Sequence, residues 1–358
     1  MLQFYCMEHK YIGSGVKDFT PKNKKDFEDK REKSRKDKQP AELKKTREEK
    51  EMIEVLASSI YKEMERLGIK SRPFPLEAIH LMPQHFFWYP GAGVGAKGSY
   101  RIPEDKIQID ASRKEYGEKE PTTYKRILDY VHKLLHLAPI SYLSDKEYDG
   151  HAILHELTHS QSKQGFRVDE EGGVIGYKSG LVSAKKEEQL DEGAYFQGLN
   201  EAVTEKITRE LFIEIKGKVF DEQKVKDFVE TQKDHPYTEY IEVLDKIIES
   251  IAQFKHIDKN KVWDDIKISY FKGELMYFRK IEDIFGIGSL RIIASMDKKA
   301  KNSSDNPERQ KKIEKYFSSG TTFNEREKLA REILDDEEYG MYETHRSIID
   351  INKPNKYL

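Results

Sequence analysis

Apolar positions recur at helical spacing in several stretches of this chain and at strand spacing in a few. From about Ala41 the residues Met52, Ile53, Leu56, Ile60, Met64 and Leu67 fall at three- and four-residue intervals, predicting a helix that Gly68 ends from the C-cap side. Two short segments follow, EAIHLMPQHFFWYP and GSYRIPEDKIQIDASR, rich in aromatic or β-branched residues and separated by GAGVGAKG. They predict strands of a small sheet joined by a loop. In KIQID the alternation of Ile107 and Ile109 with polar residues predicts a half-exposed or edge strand. TTYKRILDYVHKLLHLAP, from Thr122, has the pattern of an amphipathic helix stopped by Pro139.

Further along, GFRVDEEGGVIGYKSGLVSAKKEE predicts an irregular hairpin region, and GLNEAVTEKITRELFIEI another helix. Beyond it the pattern is helical: Ile241, Leu244, Ile248 and Ile251 form one stripe, and VWDDIKISYF and MYFRKIEDIF form others, the last broken at Gly286 and Gly288. These stripes are the signature of ordinary helical core. From Asp297 the chain turns polar again, with a short helix at FNEREKLAREIL for which Asn324 is the candidate N-cap. The overall reading is an α+β protein. Its divisions are a charged, flexible arm over 1–50, a sheet-bearing region over 51–165, a mostly helical region over 166–300 and a polar tail over 301–358.

Composition narrows the partners. At 358 residues the chain can bury a core without covalent staples, and its single cysteine, Cys6, excludes an intrachain disulfide and a cysteine-based zinc site. Any metal must be held by histidines and carboxylates. Lys plus Arg at 63 against Asp plus Glu at 65 leaves a net charge of -2, which gives no reason to expect nucleic acid or an anionic membrane as partner. The stretch KDFTPKNKKDFEDKREKSRKDKQPAELKKTREEK carries almost no large apolar residues, so it reads as a solvated arm. No signal-peptide pattern and no apolar run of membrane-spanning length occurs, so the expectation is a soluble, cytoplasmic protein. The glycines 91, 93 and 95 lack a following GK[ST] and precede a strand-like segment, which argues against a phosphate loop.

One decapeptide carries chemistry. In HAILHELTHS, His155 and His159 are four apart, so on a helix they share one face and two imidazoles can converge on one ion. Glu156 follows the first, where a carboxylate sits beside the metal-activated water as a general base without ligating. So short a motif also arises by chance, and catalytic zinc wants a third protein ligand. GLNEAVTE supplies a candidate: Glu201 could bind metal, and Glu205, one turn on, could accept the Nδ1 proton of a ligand histidine. His151 lies a turn before His155 without a following glutamate and is read as a packing or cleft-rim residue. His132 and His136 have the same spacing but no acidic neighbour, and are read as a surface pair.

With HELTH and NEAVTE together, the chain resembles the gluzincin metallopeptidases, the thermolysin-like branch of the zincins, whose pattern is HExxH followed by NExxxD or NExxxE. The resemblance covers roughly residues 98–214. It implies zinc held by His155, His159 and Glu201, Glu156 as general base, and Glu205 supporting the first histidine. It further implies a two-lobed zincin-like fold: a small mixed sheet with the active-site helix, and a mostly helical second lobe. An edge strand would hold an extended peptide substrate, and KIQID is the match for that edge. The expected activity is zinc-dependent hydrolysis of peptide bonds, as an endopeptidase since no motif for gripping a free amine is present. The alternative is a weak or inactive zincin scaffold acting as a protein-binding or regulatory module. Two departures stand out: the gap between the motifs is longer than in the thermolysin-like pattern, and Glu205 takes a place where Asp is usual. No oxyanion-stabilising Tyr or His can be aligned; Tyr177, Tyr195, His235 and Tyr240 are candidates that read more simply as structural residues.

Overall fold

The computed structural model describes residues 42–82, 98–101, 106–110, 145–168, 174–185, 195–231, 237–286, 288–296, 306–334 and 339–340, with 29, 32 and 33. They are mostly helical with small sheets, an α+β composition. The expected helix over 122–139, with His132 and His136, and the glycines 91, 93 and 95 lie outside these residues. The chain divides into two compact units, one drawn from Lys24–Gln161 and Ile207–His235, the other from Met1–Asn23, Ser162–Lys206 and Pro236–Leu358.

The first unit begins with helix α1, Arg47–Arg66. Thr46 caps it by accepting the Glu49 N–H while the Glu49 carboxylate accepts the Thr46 N–H, the reciprocal pair of a capping box. At the far end Gly68 takes φ +69°, and the Gly68 and Ile69 N–H groups close back on the Glu65 and Met64 carbonyls. The predicted stripe is the buried face: Met52, Ile53, Leu56, Ile60 and Met64.

Strands β1 (Ile79–Met82), β2 (Gly98–Arg101) and β3 (Lys106–Asp110) form a mixed sheet in the order β1-β3-β2, with β3 parallel to β1 and antiparallel to β2. This corrects the expectation for KIQID. It is the central strand, not an edge, and Lys106 and Gln108 are buried along with Ile107 and Ile109. Alternation reads as half-exposure only when one face meets water; here helix α2, Asp145–Gln161, packs across β2 and β3. The outer side of β1 is met by Leu43, whose N–H donates to the Leu81 carbonyl at 2.8 Å, with Glu42 bonded to the His80 Nδ1 at 2.8 Å. Residues 42–46, expected as the end of a solvated arm, are therefore part of this unit's fold. Helix α3, Gln197–Glu214, contributes its C-terminal half to this unit, and α4, Glu222–Thr231, packs on α2.

The second unit opens with β4 (Gln164–Val168), β5 (Val174–Ser179) and β6 (Val182–Lys185), an antiparallel meander with a bulge at Arg167/Val168. The expected irregular hairpin thus carries a third strand, because Gly180 at φ +55° supplies the turn into β6. The helices that follow are α5 (Thr238–Lys255), α6 (Lys259–Lys272), α7 (Lys280–Phe285) and α8 (Ser289–Ala294). Helix α5 is the hub: α6, α7 and the later α9 (Asn306–Phe317) all pack on it. The region read as a polar tail holds α9 and α10 (Phe323–Ile333), which bury Ile313, Tyr316, Phe317, Leu329 and Ile333. The cap of α10 is Thr322, not Asn324: Glu325 three residues on completes a capping box that Asn324 cannot make. Among the described residues no helix is long and apolar enough to cross a membrane.

Candidate metal centre

Helix α2 is buried along most of its circumference, unlike a surface helix. Ile153, Leu154 and Leu157 are core, and the polar His151, His155, Glu156, Thr158, Ser160 and Gln161 are buried beside them. The hydroxyls are satisfied within the helix: Thr158 donates to the Leu154 carbonyl at 2.8 Å and Ser160 to that of Leu157 at 2.7 Å. Arg72 closes the C-terminal end. Its guanidinium donates to the Ser160 carbonyl at 3.2 Å and its backbone N–H to Gln161 Oε1 at 3.1 Å, a cation where the helix dipole favours one.

The HExxH spacing produces the convergence it predicts. The Nε2 atoms of His155 and His159 are 3.1 Å apart, with ring centroids at 4.8 Å and planes at 74°. Ligand bonds of about 2.0–2.1 Å would set two nitrogens on one tetrahedral ion roughly 3.3–3.4 Å apart, close to that separation. One ligand atom each from His155, His159 and Glu201 lies within 4.8 Å of the others. Two imidazole nitrogens and a carboxylate oxygen are a donor set suited to zinc. A group of side chains able to hold a metal ion is thus present. Glu156, 8% exposed, stands beside it on α2 and rests against β2, where Gly98 has no side chain to displace it.

Glu201 lies in the first turns of α3. The preceding Asn200 is buried, and its Oδ1 accepts the Leu181 N–H at 3.0 Å. A Cβ on Gly180 would come within 2.6 Å of that same oxygen. Thr204 donates to the Tyr270 hydroxyl or the Asn200 carbonyl, both at 2.8 Å. The start of α3 is therefore tied to the β5–β6 turn and to α6. Phe196, just before α3, has φ +65°, a costly conformation for an aromatic residue, and its carbonyl accepts the Asn200 N–H. Glu205 is completely buried one turn beyond Glu201.

The remaining candidates scatter. His151 packs against Phe212 and Phe228, at ring distances of 5.5 and 4.8 Å, so it belongs to an aromatic cluster, in keeping with the packing role read from sequence. Tyr195 is exposed, Tyr240 stacks on Tyr237, and His235 lies outside the described residues, as does the Tyr177 side chain. Sequence reasoning missed Asn200 as an anchor and Gly98 as the floor under Glu156. A glycine opening a strand was the available signal for the second. The chain matches no protein-family model, no curated protein and no solved structure.

Proposed function

We propose that the chain is a zinc-dependent peptidase of the gluzincin type, acting on a peptide or protein substrate. In this reading His155, His159 and Glu201 hold the metal, Glu205 orients a ligand histidine, and the body is a two-lobed zincin with a helical second lobe. The single observation that carries it is the convergence of both imidazoles and the distant Glu201 carboxylate, with Glu156 adjacent but outside the ligand set.

Zinc, when bound, supplies Lewis acidity toward a carbonyl and makes water a nucleophile near neutral pH. Glu156 accepts the proton of the attacking water and returns it to the leaving amine. Its burial keeps bulk water from competing for that proton. Among the described residues β2 is the sheet edge without a partner strand, since β1 meets Leu43, so β2 takes the place first given to KIQID as the strand along which an extended substrate pairs. A reducing cytoplasm suits a chain with one cysteine.

Elemental analysis of the purified protein is expected to give about one equivalent of zinc, the stoichiometry of a three-ligand catalytic site. A mixed peptide library should be cleaved internally, and a chelator should stop the cleavage. Zinc bound without any cleavage would favour the scaffold reading instead, and absence of bound zinc would remove both.

A further inference from the structure

We propose that Gly98 is a positioning residue for Glu156: the missing side chain at this point of β2 is what lets the carboxylate seat beside the two histidines. The inference rests on the peptidase reading for its catalytic consequence, but the contact itself does not. Glycine inside a strand sacrifices packing and backbone entropy, and it commonly marks a place where another group approaches closely. Gly98 pairs with the fully buried Ile109, and α2 packs over both strands. A Cβ at Gly98 would lie 2.7 Å from Glu156 Cγ, 2.8 Å from Oε1 and 3.1 Å from Cδ.

These distances are inside van der Waals contact along the length of the side chain, not only at its tip. Rotating the terminal carboxylate would therefore leave the Cγ clash in place, and an added methyl must move the whole side chain. Buried as it is, Glu156 has little free space to move into. The three atoms nearest to a Cβ at Gly98 all belong to Glu156, so the displacement falls first on the carboxylate side chain and not on His155 or His159. The strand thus fixes the proton-transfer group while the metal ligands are fixed separately.

The test has two arms. In the first, Gly98→Ala is made in the wild-type and in the Glu156→Ala background, and melting of the metal-free protein is followed. Gly98→Ala is expected to lower the melting temperature by roughly 2–6 °C in the presence of Glu156 and to have no such effect in its absence. Equal shifts in both backgrounds overturn the proposal. In the second arm, Gly98→Ala is expected to keep its zinc and KM while kcat falls by about 10²-fold, the scale of a misplacement near 1 Å. Coupled melting with unchanged kcat would also overturn it, since the contact would then not position the base. Were the wild type to turn over nothing, the peptidase reading fails while the melting comparison still decides whether Gly98 seats Glu156. Were Gly98→Ala alone not to fold, the double variant, which lacks the obstructing atoms, is expected to fold; its failure too would overturn the proposal.

Discussion

Helices α2 and α5 are nearly equal in length, and they hold the protein together in opposite ways. Helix α5 buries Ile241, Val243, Leu244, Ile247, Ile248, Ile251 and Ala252 on one side and leaves its charged residues to solvent. It is a stripe, and apolar transfer stabilises it. Helix α2 buries two histidines of its motif region, two glutamates, a threonine, a serine and a glutamine among its apolar residues. Each such group costs free energy unless it is bonded, so a helix that keeps them does so for packing partners of its own or for chemistry. The hydroxyls and Gln161 find backbone partners, and His151 finds an aromatic cluster. His155 and His159 belong, with Glu201, to the group able to hold a metal ion, and Glu156 lies against Gly98.

The comparison breaks most visibly at Glu156. Glu156→Gln keeps the shape of the side chain but removes its basicity, and turnover is expected to fall by about 10²–10⁴-fold with zinc retained. Zinc lost in parallel with turnover would make Glu156 a ligand instead. Glu205→Gln should act on the metal rather than the chemistry, weakening zinc binding by about 10–100-fold in competition with a chelating dye. In α5 the expectation reverses. Ile247→Ala, at a fully buried position, should cost about 2–5 kcal/mol in denaturant unfolding and leave zinc affinity unchanged.

The smallest effect concerns a third kind of buried polar group, one used for docking. Burial pushes His80 below its ordinary 6.5, against the opposing pull of Glu42, and Lys45 and Lys106 add to the lowering. Glu42 is held below 4.5 despite its own burial, through its bonds to His80 and Lys45. Neutral His80 therefore donates from Nδ1 to the Glu42 carboxylate. A depressed folded value means that this stability is present above 6.5 and is lost as the pH falls from there through the folded value. Glu42 adds a loss of the same sign below 4.5. Melting temperature should decline on acidification below pH 6.5, and His80→Gln should flatten that decline. An unchanged slope in the variant would assign the acid sensitivity to other groups.

Much of the helical architecture was legible because it is local. The stripe of α1 and its end at Gly68, the stripe of α5 and the helix of GLNEAVTE all follow from spacing that a single element must satisfy. The strands were placed but not ordered. KIQID alternates like an edge, yet its neighbours on both sides and the helix above it are set by other parts of the chain. Helix α9 went unseen because its charged residues outnumber the few large apolar ones that it buries against α5. At α10 the T-x-x-E pattern of Thr322 and Glu325 sets the cap two residues before Asn324.

For the candidate site, sequence alone settled that His155 and His159 face the same way, since a four-residue interval on a helix leaves no other choice. It also named the acidic residues, but nothing local brings Glu201 within 4.8 Å of those rings, nor lays Glu156 on the backbone of Gly98. Those meetings join segments whose separation along the chain carries no distance information. They are decided by tertiary structure, in which a buried side chain is placed by neighbours that local spacing does not specify.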